Sequence, residues 1–295
     1  MSAAIPLRFC LPLAALLVGL PLGAAAEDYE DSVDARPGGK LRIHLDSGSI
    51  QIEGHDEPEV RVDARASGIG SGNVDFELED DDDDNEVRLS GNLGGLGFLA
   101  RVELRVRVPH RFSLDVRTAG GEVEVEEIEG EVEVRTSGGR VTVDDVVGSV
   151  DVETSGGPIR ADKIQGDLRA RTSGGRIRAA DVSGRLDVRT SGGPLELRDV
   201  GGPVEARTSG GTVEVRFTGA PAGHLETSGG SIEVEFAEGS GARLEARTSG
   251  GRVELEQGLR ISGRVEPGRV EGEIGGGGPR IRIRTSGGNI VLRTH

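Results

Sequence analysis

The chain has 295 residues and a formal net charge of -16, from 51 acidic and 35 basic residues. This acidity argues against nucleic acid as a partner, because phosphate contacts need a basic surface. Aromatic residues make up 2% of the chain, tryptophan is absent and glycine numbers 49, so any core has to be built from Val, Ile, Leu and Ala.

The first 26 residues are typical of a secretory signal peptide. Arg8 precedes an apolar run from Phe9 to Leu22, and Ala24 to Ala26 supply the small residues of a cleavage site. No stretch after it approaches the roughly 20 apolar residues of a membrane span. We therefore expect an exported mature chain that begins near Glu27, lies in the periplasm or outside the cell, and has no transmembrane segment. The only cysteine, Cys10, falls within the signal, which removes disulfides, thiol catalysis and cysteine-ligated metals from the mature chain.

Residues 27–113 predict an N-terminal β cap. The stretch KLRIHLDSGSIQIEG at Lys40–Gly54 alternates apolar and polar residues around a Ser-Gly turn. Glu79–Asp84 is a run of carboxylates that we place at a hairpin tip. Such a run attracts calcium weakly, but the ligand spacing of a calcium loop is missing and a solvated tip is the simpler interpretation. The strand-like RVELRVRVP at Arg101–Pro109 leads into the repeats.

From Leu114 onward a short motif returns at a fixed interval. Its threonine recurs every 18 residues and then at wider spacing: Thr118, Thr136, Thr154, Thr172, Thr190, Thr208, Thr227, Thr248 and Thr285. A degraded copy, LRISGRV at Leu259–Val265, brings the total to about ten units. Fixed periods of this size indicate stacked repeats that bury their apolar faces against one another.

Within each unit apolar residues alternate with polar ones, which is the signature of a strand. Val132, Val134 and Thr136 share one side before the turn, and Val141 and Val143 share it afterwards. The predicted fold is therefore all-β: a parallel β-solenoid (β-helix) of about ten 18-residue two-strand coils. We divide the chain into a signal peptide (1–26), an N-terminal β cap (27–113) and a repeat solenoid (114–295).

Both corners of each coil are marked by glycine. Ser-Gly-Gly follows the threonine, where glycine reaches positive φ without steric cost and hydroxyl groups satisfy corner amides. The opposite corner carries single glycines at the same period: Gly130, Gly148, Gly166, Gly184 and Gly202. We interpret the repeated motif first as a requirement of the fold.

Outward positions of the coils form columns of charge. One column contains arginines and is broken by Glu153 and Glu226: Arg117, Arg135, Arg171, Arg189, Arg207, Arg247 and Arg284. Two residues earlier stands a column of acids: Asp115, Glu133, Asp151, Asp187, Glu205 and Glu245. We favour a solvated face whose charges neutralise one another. The alternative is a strip along the arginines that binds an anionic ligand.

Acidic residues also recur at one edge of the coils: Glu126, Glu127, Asp144, Asp145, Asp162, Asp181 and Asp199. Carboxylates on adjacent coils would lie about 5 Å apart, near the separation in retaining glycosidases. An active site is local, however, whereas these acids recur in nearly every repeat, so turn chemistry explains them better. The five histidines show no metal-ligand spacing: His44, His55, His110, His224 and His295. We assign no catalytic, cofactor-binding or metal-binding residue and expect no enzyme activity and no cofactor.

The stretch RVPHRFSLDVRTAGGEVEVEEIEGEVEVRTSGGRVTV resembles the bacterial putative-adhesin family of unknown function, related to the head-domain adhesins with β-helical folds. The resemblance covers roughly residues 100–295 and rests on a proline-led strand that enters repeated Thr-Ser-Gly-Gly coils. It implies an exported, non-enzymatic β-solenoid associated with the cell envelope. It brings no binding residues to carry over.

Three functions remain open at this point. The leading hypothesis is an exported scaffold that presents repeated polar faces to an envelope glycan or protein. The alternatives are a polysaccharide-active enzyme on the coil edge, with Asp144 and Asp162 as candidate acids, and an acidic protein that sequesters cationic peptides or metal ions. The final strand, NIVLRTH, ends the sequence without a capping helix or proline, so we also expect it to expose a ladder that pairs with a second copy of the chain or with a partner strand.

Overall fold

The structure is a computed structural model that describes residues 27–81, 85–256 and 258–295. The predicted signal peptide and Asp82–Asp84 of the acidic run lie outside the described residues. Those described form 27 strands and two short 3-10 helices, Ser71–Asn73 and Gly97–Leu99.

The strands are numbered in chain order. The first nine are β1 (Glu27–Asp34), β2 (Gly39–Leu45), β3 (Ser49–His55), β4 (Glu59–Ser67), β5 (Val74–Asp81), β6 (Glu86–Leu93), β7 (Arg101–Pro109), β8 (Phe112–Thr118) and β9 (Val123–Glu129). The next nine are β10 (Val132–Thr136), β11 (Val141–Val147), β12 (Val150–Thr154), β13 (Ile159–Gln165), β14 (Leu168–Thr172), β15 (Ile177–Val182), β16 (Leu186–Arg189), β17 (Leu195–Val200) and β18 (Val204–Thr208). The last nine are β19 (Val213–Phe217), β20 (Gly223–Thr227), β21 (Ile232–Phe236), β22 (Ala242–Thr248), β23 (Val253–Leu255), β24 (Ile261–Glu266), β25 (Arg269–Ile274), β26 (Arg280–Thr285) and β27 (Ile290–Thr294).

Two sheets enclose the core, and successive strands of the repeats alternate between them. Sheet A has 13 strands in the order β1-β4-β7-β3-β9-β11-β13-β15-β17-β19-β21-β27-β23. Sheet B has 14 strands in the order β24-β25-β22-β26-β20-β18-β16-β14-β12-β10-β8-β2-β6-β5. A pair of consecutive strands, one in each sheet, is called a rung here. Neighbouring rungs pair in parallel with equivalent residues opposite one another, as with Val132, which lies opposite both Leu114 and Val150. The predicted all-β parallel solenoid is confirmed.

The aliphatic columns form the core. Val132, Val134, Val141 and Val143 are all fully buried, as the alternating pattern predicts, and Thr136 is 7% exposed beside them. The rungs add similar sets of aliphatic groups, so the core is one continuous column of mostly Val, Ile, Leu and Ala between the sheets. Three phenylalanines are also buried in it, in addition to the predicted aliphatic residues: Phe112, Phe217 and Phe236. Burial at about 25 cal/mol per Å² of apolar surface, repeated along the column, supplies the main stabilisation of a chain without disulfides.

The first and last rungs do not follow chain order. The rung β2–β3 lies between β6–β7 and β8–β9, and the rung β26–β27 lies between β20–β21 and β22–β23. At each end, therefore, the chain leaves a gap one rung wide that a segment distant in sequence fills. The expectation that the final strand exposes a free ladder is wrong, because Ile290 in β27 pairs with Ile232 on one side and with Val253 on the other.

The degraded copy at Leu259–Val265 is not a coil either. Its strand β24 forms an antiparallel hairpin with β25, which pairs antiparallel with β22. This copy lacks the threonine and the second glycine of the corner, so nothing directs the chain across to sheet A. Gly275–Gly278, which all have positive φ, then turn the chain back towards the gap that β26 fills. Among the described residues, nine two-strand rungs follow Pro109 instead of about ten coils.

The N-terminal region continues the same two sheets. Strand β2 pairs in parallel with β8, and β3 pairs in parallel with β9. Beyond them, β4 and β1 extend sheet A with antiparallel pairs, while β5 and β6 form the hairpin predicted on either side of the acidic run. The division into a cap at 27–113 and a solenoid at 114–295 stays a prediction.

Candidate functional site

The threonines of the repeated motif are bound within the fold. Thr190 Oγ1 donates to the carbonyl oxygen of Gly175 in the preceding rung at 3.0 Å and accepts the N–H of Gly193 in its own corner at 3.3 Å. Equivalent pairs of bonds occur at Thr172, Thr208, Thr227, Thr248 and Thr285. In these six corners the hydroxyl closes the corner and ties it to the neighbouring rung, whereas Thr118 Oγ1 and Thr136 Oγ1 donate to the carbonyl oxygens of Gly120 and Gly138 in their own corners. The motif therefore acts structurally.

The two glycines of a corner have different roles. A Cβ on Gly157 would lie 1.6 Å from the carbonyl oxygen of Gly139, whereas a Cβ on Gly156 would meet nothing within 4 Å. Among the second glycines of the Gly-Gly corners, only Gly121 and Gly139 have positive φ, at 109° and 89°. The expectation that these corners need glycine for positive φ therefore holds at Gly121 and Gly139. At the other corners the second glycine is required because the backbone of a neighbouring rung approaches too closely for a Cβ.

The recurring acids at the coil edge sit at a left-handed corner. Glu127, Asp145, Asp181 and Asp199 have φ between 53° and 59°, and Lys163 occupies the same position with φ 54°. Each bulges out of the ladder, because the residues on either side of it pair with the neighbouring rung and it does not. Aspartate tolerates this conformation better than most residues, which supports the interpretation of these acids as turn residues.

The outer face of sheet B is neutralised by ion pairs. All seven arginines of the predicted column have carboxylates within 4 Å: Arg117–Asp115, Arg135–Glu133, Arg171–Asp187, Arg189–Asp187, Arg207–Glu205, Arg247–Glu245 and Arg284–Glu245. Glu245 is 9% exposed, and a hydrogen bond from Arg280 is the main cause that lowers the pKa of its carboxyl. These pairs favour the self-neutralising face over an anion-binding strip.

The outer face of sheet A carries carboxylates without such partners. Glu53 lies opposite Glu126, which lies opposite Asp144, in three successive rungs. We call these three residues, together with Glu124 and Glu127, the acidic patch. Within the described residues, Glu53, Glu124, Glu126 and Glu127 form no ion pair, and Asp144 has only Lys163, whose Nζ lies 3.4 Å from Oδ1. Glu53 and Glu127 are exposed, and Glu124, Glu126 and Asp144 are half-buried.

Electrostatic repulsion within the patch is visible at its centre. The pKa of Glu126 is raised, first by partial burial and then by the negative charges of Glu124, Asp144, Glu53 and Glu127. A positive group placed over the patch would relieve this repulsion. The arrangement is suited to binding cationic groups along a rigid surface, with carboxylates about 4.8 Å apart from rung to rung.

The two candidate catalytic acids, Asp144 and Asp162, lie close together, but both carboxylates contact basic side chains. Asp144 and Asp162 lie opposite one another in adjacent rungs. Asp162 accepts a hydrogen bond from Arg160 Nε at 2.6 Å, and Lys163 approaches Asp144. Sequence reasoning missed Glu53, since its rung falls outside the 18-residue period and joins the patch only through the pairing of β3 with β9.

The acidic run and the histidines do not combine into a metal site within the described residues. Glu79, Asp80 and Asp81 of the acidic run lie on β5. The described part of the chain contains no group of three or more His, Cys, Asp or Glu side chains arranged to hold a metal ion. Among the histidines, His110 N–H donates to the carbonyl oxygen of His55 at 3.1 Å, but the His55 ring contacts Glu57 at 2.9 Å and the His110 ring contacts the carbonyl oxygen of Glu127 at 2.9 Å. His44 and His224 lie on β2 and β20, and the His295 ring contacts the carbonyl oxygen of Phe217 at 3.0 Å. No helix among residues 27–81, 85–256 and 258–295 is long and apolar enough to cross a membrane.

The chain is similar to one family model and to several solved structures. The family model described as Toastrack DUF4097 matches residues 39–293. No curated protein matches the chain. Among solved structures, a putative cell adhesion protein from Clostridium sporogenes is 13% identical, covering 91% of this chain and 100% of its own, with a TM-score of 0.25. A putative adhesin from Bacteroides fragilis is 10% identical over 91% and 97%, with a TM-score of 0.40, and one from Parabacteroides distasonis is 9% identical over 90% and 97%, with a TM-score of 0.33.

Proposed function

We propose that this chain, which belongs to the Toastrack DUF4097 family, is an exported, non-enzymatic scaffold. It binds a positively charged envelope partner on the outer face of sheet A. The partner is a protein segment or a glycan that carries amino groups. The signal-like sequence of residues 1–26 motivates export to the periplasm or cell surface.

One observation carries this proposal: among the described residues, four of the five carboxylates of the acidic patch form no ion pair and the fifth, Asp144, has only Lys163, whereas the opposite side of the solenoid is neutralised. The rigid ladder holds Glu53, Glu126 and Asp144 in successive rungs, so the repulsion among them cannot relax by movement of the backbone. Binding of a cationic partner replaces that repulsion by attraction. Because all five groups are at least partly exposed to solvent, the gain is screened by salt over a Debye length of about 8 Å at physiological ionic strength.

The experiment compares two variants with the same change in net charge. Glu124→Gln/Glu126→Gln removes two charges of the patch, and Glu133→Gln/Glu205→Gln removes two charges from sheet B that are paired with arginines. Each immobilised protein is exposed to envelope fractions across a salt series. We expect the wild type and the sheet B variant to retain a partner at low salt and the patch variant to lose it.

Three results would contradict the proposal. The first is that no fraction is retained by the wild type at any salt concentration, and the second is equal loss of binding in both variants. The third is cleavage of an envelope polysaccharide that disappears in Asp144→Asn or Asp162→Asn, which would establish the enzymatic alternative. Retention only of free cationic peptides or metal ions would favour the sequestering alternative.

A further inference from the structure

The open edge strands at the two ends of the solenoid differ in charge and length. At the N-terminal end the open edges are β1 and β5, whose sequences EDYEDSVD and VDFELEDD each contain five acids in eight residues. Such charge density prevents strand addition. At the C-terminal end the open edges are β23, with three residues, and β24, with the sequence ISGRVE. Strand β24 is exposed except at the half-buried Ile261, and it carries one positive and one negative charge.

The hydrogen bonds of the neighbouring strands determine which backbone groups of β24 are free. Thr248 N–H donates to the carbonyl oxygen of Gly268 at 2.9 Å, and Arg243 N–H donates to that of Pro279 at 2.8 Å. Even-numbered residues of β22 therefore bond to β25. Because bonded positions alternate along an antiparallel pair, even-numbered residues of β25 bond to β22 and its odd-numbered residues bond to β24.

The odd-numbered residues of β25 lie opposite Ser262, Arg264 and Glu266 of β24. It follows that Ile261, Gly263 and Val265 direct their N–H and C=O groups towards the open edge. A partner strand that meets β24 has three consecutive bonding positions available to it.

We propose that this partner is the β24 strand of a second copy of the chain, paired antiparallel about a two-fold axis at Gly263. In this register Ile261 lies opposite Val265 of the second copy, and Gly263 lies opposite its own equivalent. The three positions with free backbone groups coincide on both strands, so the pairing forms about six main-chain hydrogen bonds. Sheet B becomes continuous across the two molecules.

The side chains fit the same register on both faces. Ile261 and Val265 point to the core side, because their partners in β25, Ile274 and Val270, are buried, yet Val265 is 54% exposed. The pairing places Ile261 and Val265 against each other twice. On the other face it places Arg260 opposite Glu266 of the second copy, also twice, and opposite charges across a strand pair are favourable.

A neighbouring register is excluded by proline. Moving the axis from Gly263 to Arg264 keeps the bonding positions in phase but places Pro267, which has no N–H to donate, opposite Ile261, and Arg264 opposite its own equivalent. Moving it to Ser262 places Arg260 opposite Arg264 of the second copy, and like charges directly opposite one another are unfavourable. The sequence of β24 is therefore complementary to itself in one register. In the dimer the acidic N-terminal ends point away from each other, and the assembly carries two acidic patches.

The test uses the exported chain, beginning at Glu27, in sedimentation equilibrium. We expect a concentration-dependent dimer that Arg260→Glu and Glu266→Arg each weaken at least tenfold, and that the double variant Arg260→Glu/Glu266→Arg restores. Val265→Lys is expected to give a monomer. Val147→Lys changes an equally isolated surface valine, 43% exposed, and is expected to leave the dimer intact.

Circular dichroism confirms that each variant is folded, and all the changed side chains are exposed, so the core is untouched. The proposal is overturned if the wild type is monomeric at a few hundred micromolar, if the double charge reversal fails to restore the dimer, or if Val147→Lys disrupts it as much as Val265→Lys. The envelope-binding experiment is independent of these outcomes, since a monomer retains one acidic patch.

Discussion

The adjacent glycines Gly156 and Gly157 provide a matched test of how the rungs stack. In Gly157→Ala the new methyl carbon would lie 1.6 Å from the carbonyl oxygen of Gly139 and 2.4 Å from its carbonyl carbon. Ordinary contacts are longer than 3 Å, so the corner has to move by about 1.5 Å relative to the preceding rung. The neighbouring residue tolerates the same change, because a methyl group on Gly156 meets nothing within 4 Å and its φ is not positive.

The magnitude follows from what the displaced corner loses. The carbonyl oxygen of Gly157 accepts a hydrogen bond from Thr172 Oγ1 at 3.1 Å, and its N–H donates to Thr154 Oγ1 at 3.4 Å. Two such bonds contribute about 1 kcal/mol each, and overpacking in a rigid interior costs about 1–3 kcal/mol. We expect Gly157→Ala to reduce the free energy of unfolding by about 3 kcal/mol. Gly156→Ala is expected to raise it by about 0.5 kcal/mol, since alanine restricts the unfolded chain.

Equilibrium unfolding in guanidinium chloride, followed by far-UV circular dichroism, measures both variants against the wild type. Repeat proteins unfold in more than one step when the coupling between repeats is weak, so the transition of the central rungs is the quantity to compare. Equal midpoints for the two alanine variants would refute the reasoning, because they would show that the rungs do not pack as closely as the geometry requires.

Three further predictions concern the threonine ladder, the acidic patch and the rung order. Thr190→Val should cost about 1–3 kcal/mol in denaturant unfolding, because a buried N–H and a carbonyl each lose a partner, whereas Thr190→Ser should retain most of the stability. Glu126→Gln should raise the unfolding midpoint at neutral pH. The pKa of Glu126 is raised in the folded state, so its ionised form destabilises the fold above that pKa. The gain in stability should therefore vanish as the pH falls below the ordinary glutamate pKa of about 4.5. A constant gain down to pH 3 would contradict this cause. Removing residues 279–295 deletes β26 and β27, which form an interior rung. We expect this truncation to abolish amide-exchange protection in β22 and β25 as well, because these strands lose the rung that joins them to the rest of the stack. Retained protection in β22 and β25 would mean that the end hairpin packs independently.

Much of the repeat region could be predicted because equivalent residues recur from rung to rung along the solenoid axis. Val132, Val134, Val141 and Val143 are buried for the same reason as their equivalents in every other unit, and the alternation around each corner is enough to identify them. The neutralised face of sheet B was predictable too, since arginine and acid columns two residues apart in most units meet in any parallel stack. Local patterns of this kind need no knowledge of which rung lies next to which.

The acidic patch was only half predictable. Glu126 and Asp144 belong to consecutive repeats, so their proximity follows from the period. Glu53 belongs to a segment with no recognisable period, and it reaches Glu126 because β3 occupies the place next to β9. Glu79–Asp81, which form part of the longest acidic run in the sequence, lie elsewhere on β5 and take no part in the patch.

The amino-acid sequence by itself determined the strands, the two corners, the buried columns and the parallel stacking, because each depends on residues within one or two repeats. The tertiary structure alone decided the order of rungs at the ends: β2–β3 and β26–β27 lie inside the stack, and the hairpin β24–β25 supplies the open edge. The physical reason is that parallel rungs with aliphatic columns and Thr–Gly contacts fit one another almost interchangeably. Local sequence therefore specifies that a rung stacks, and only the path of the whole chain selects its neighbours.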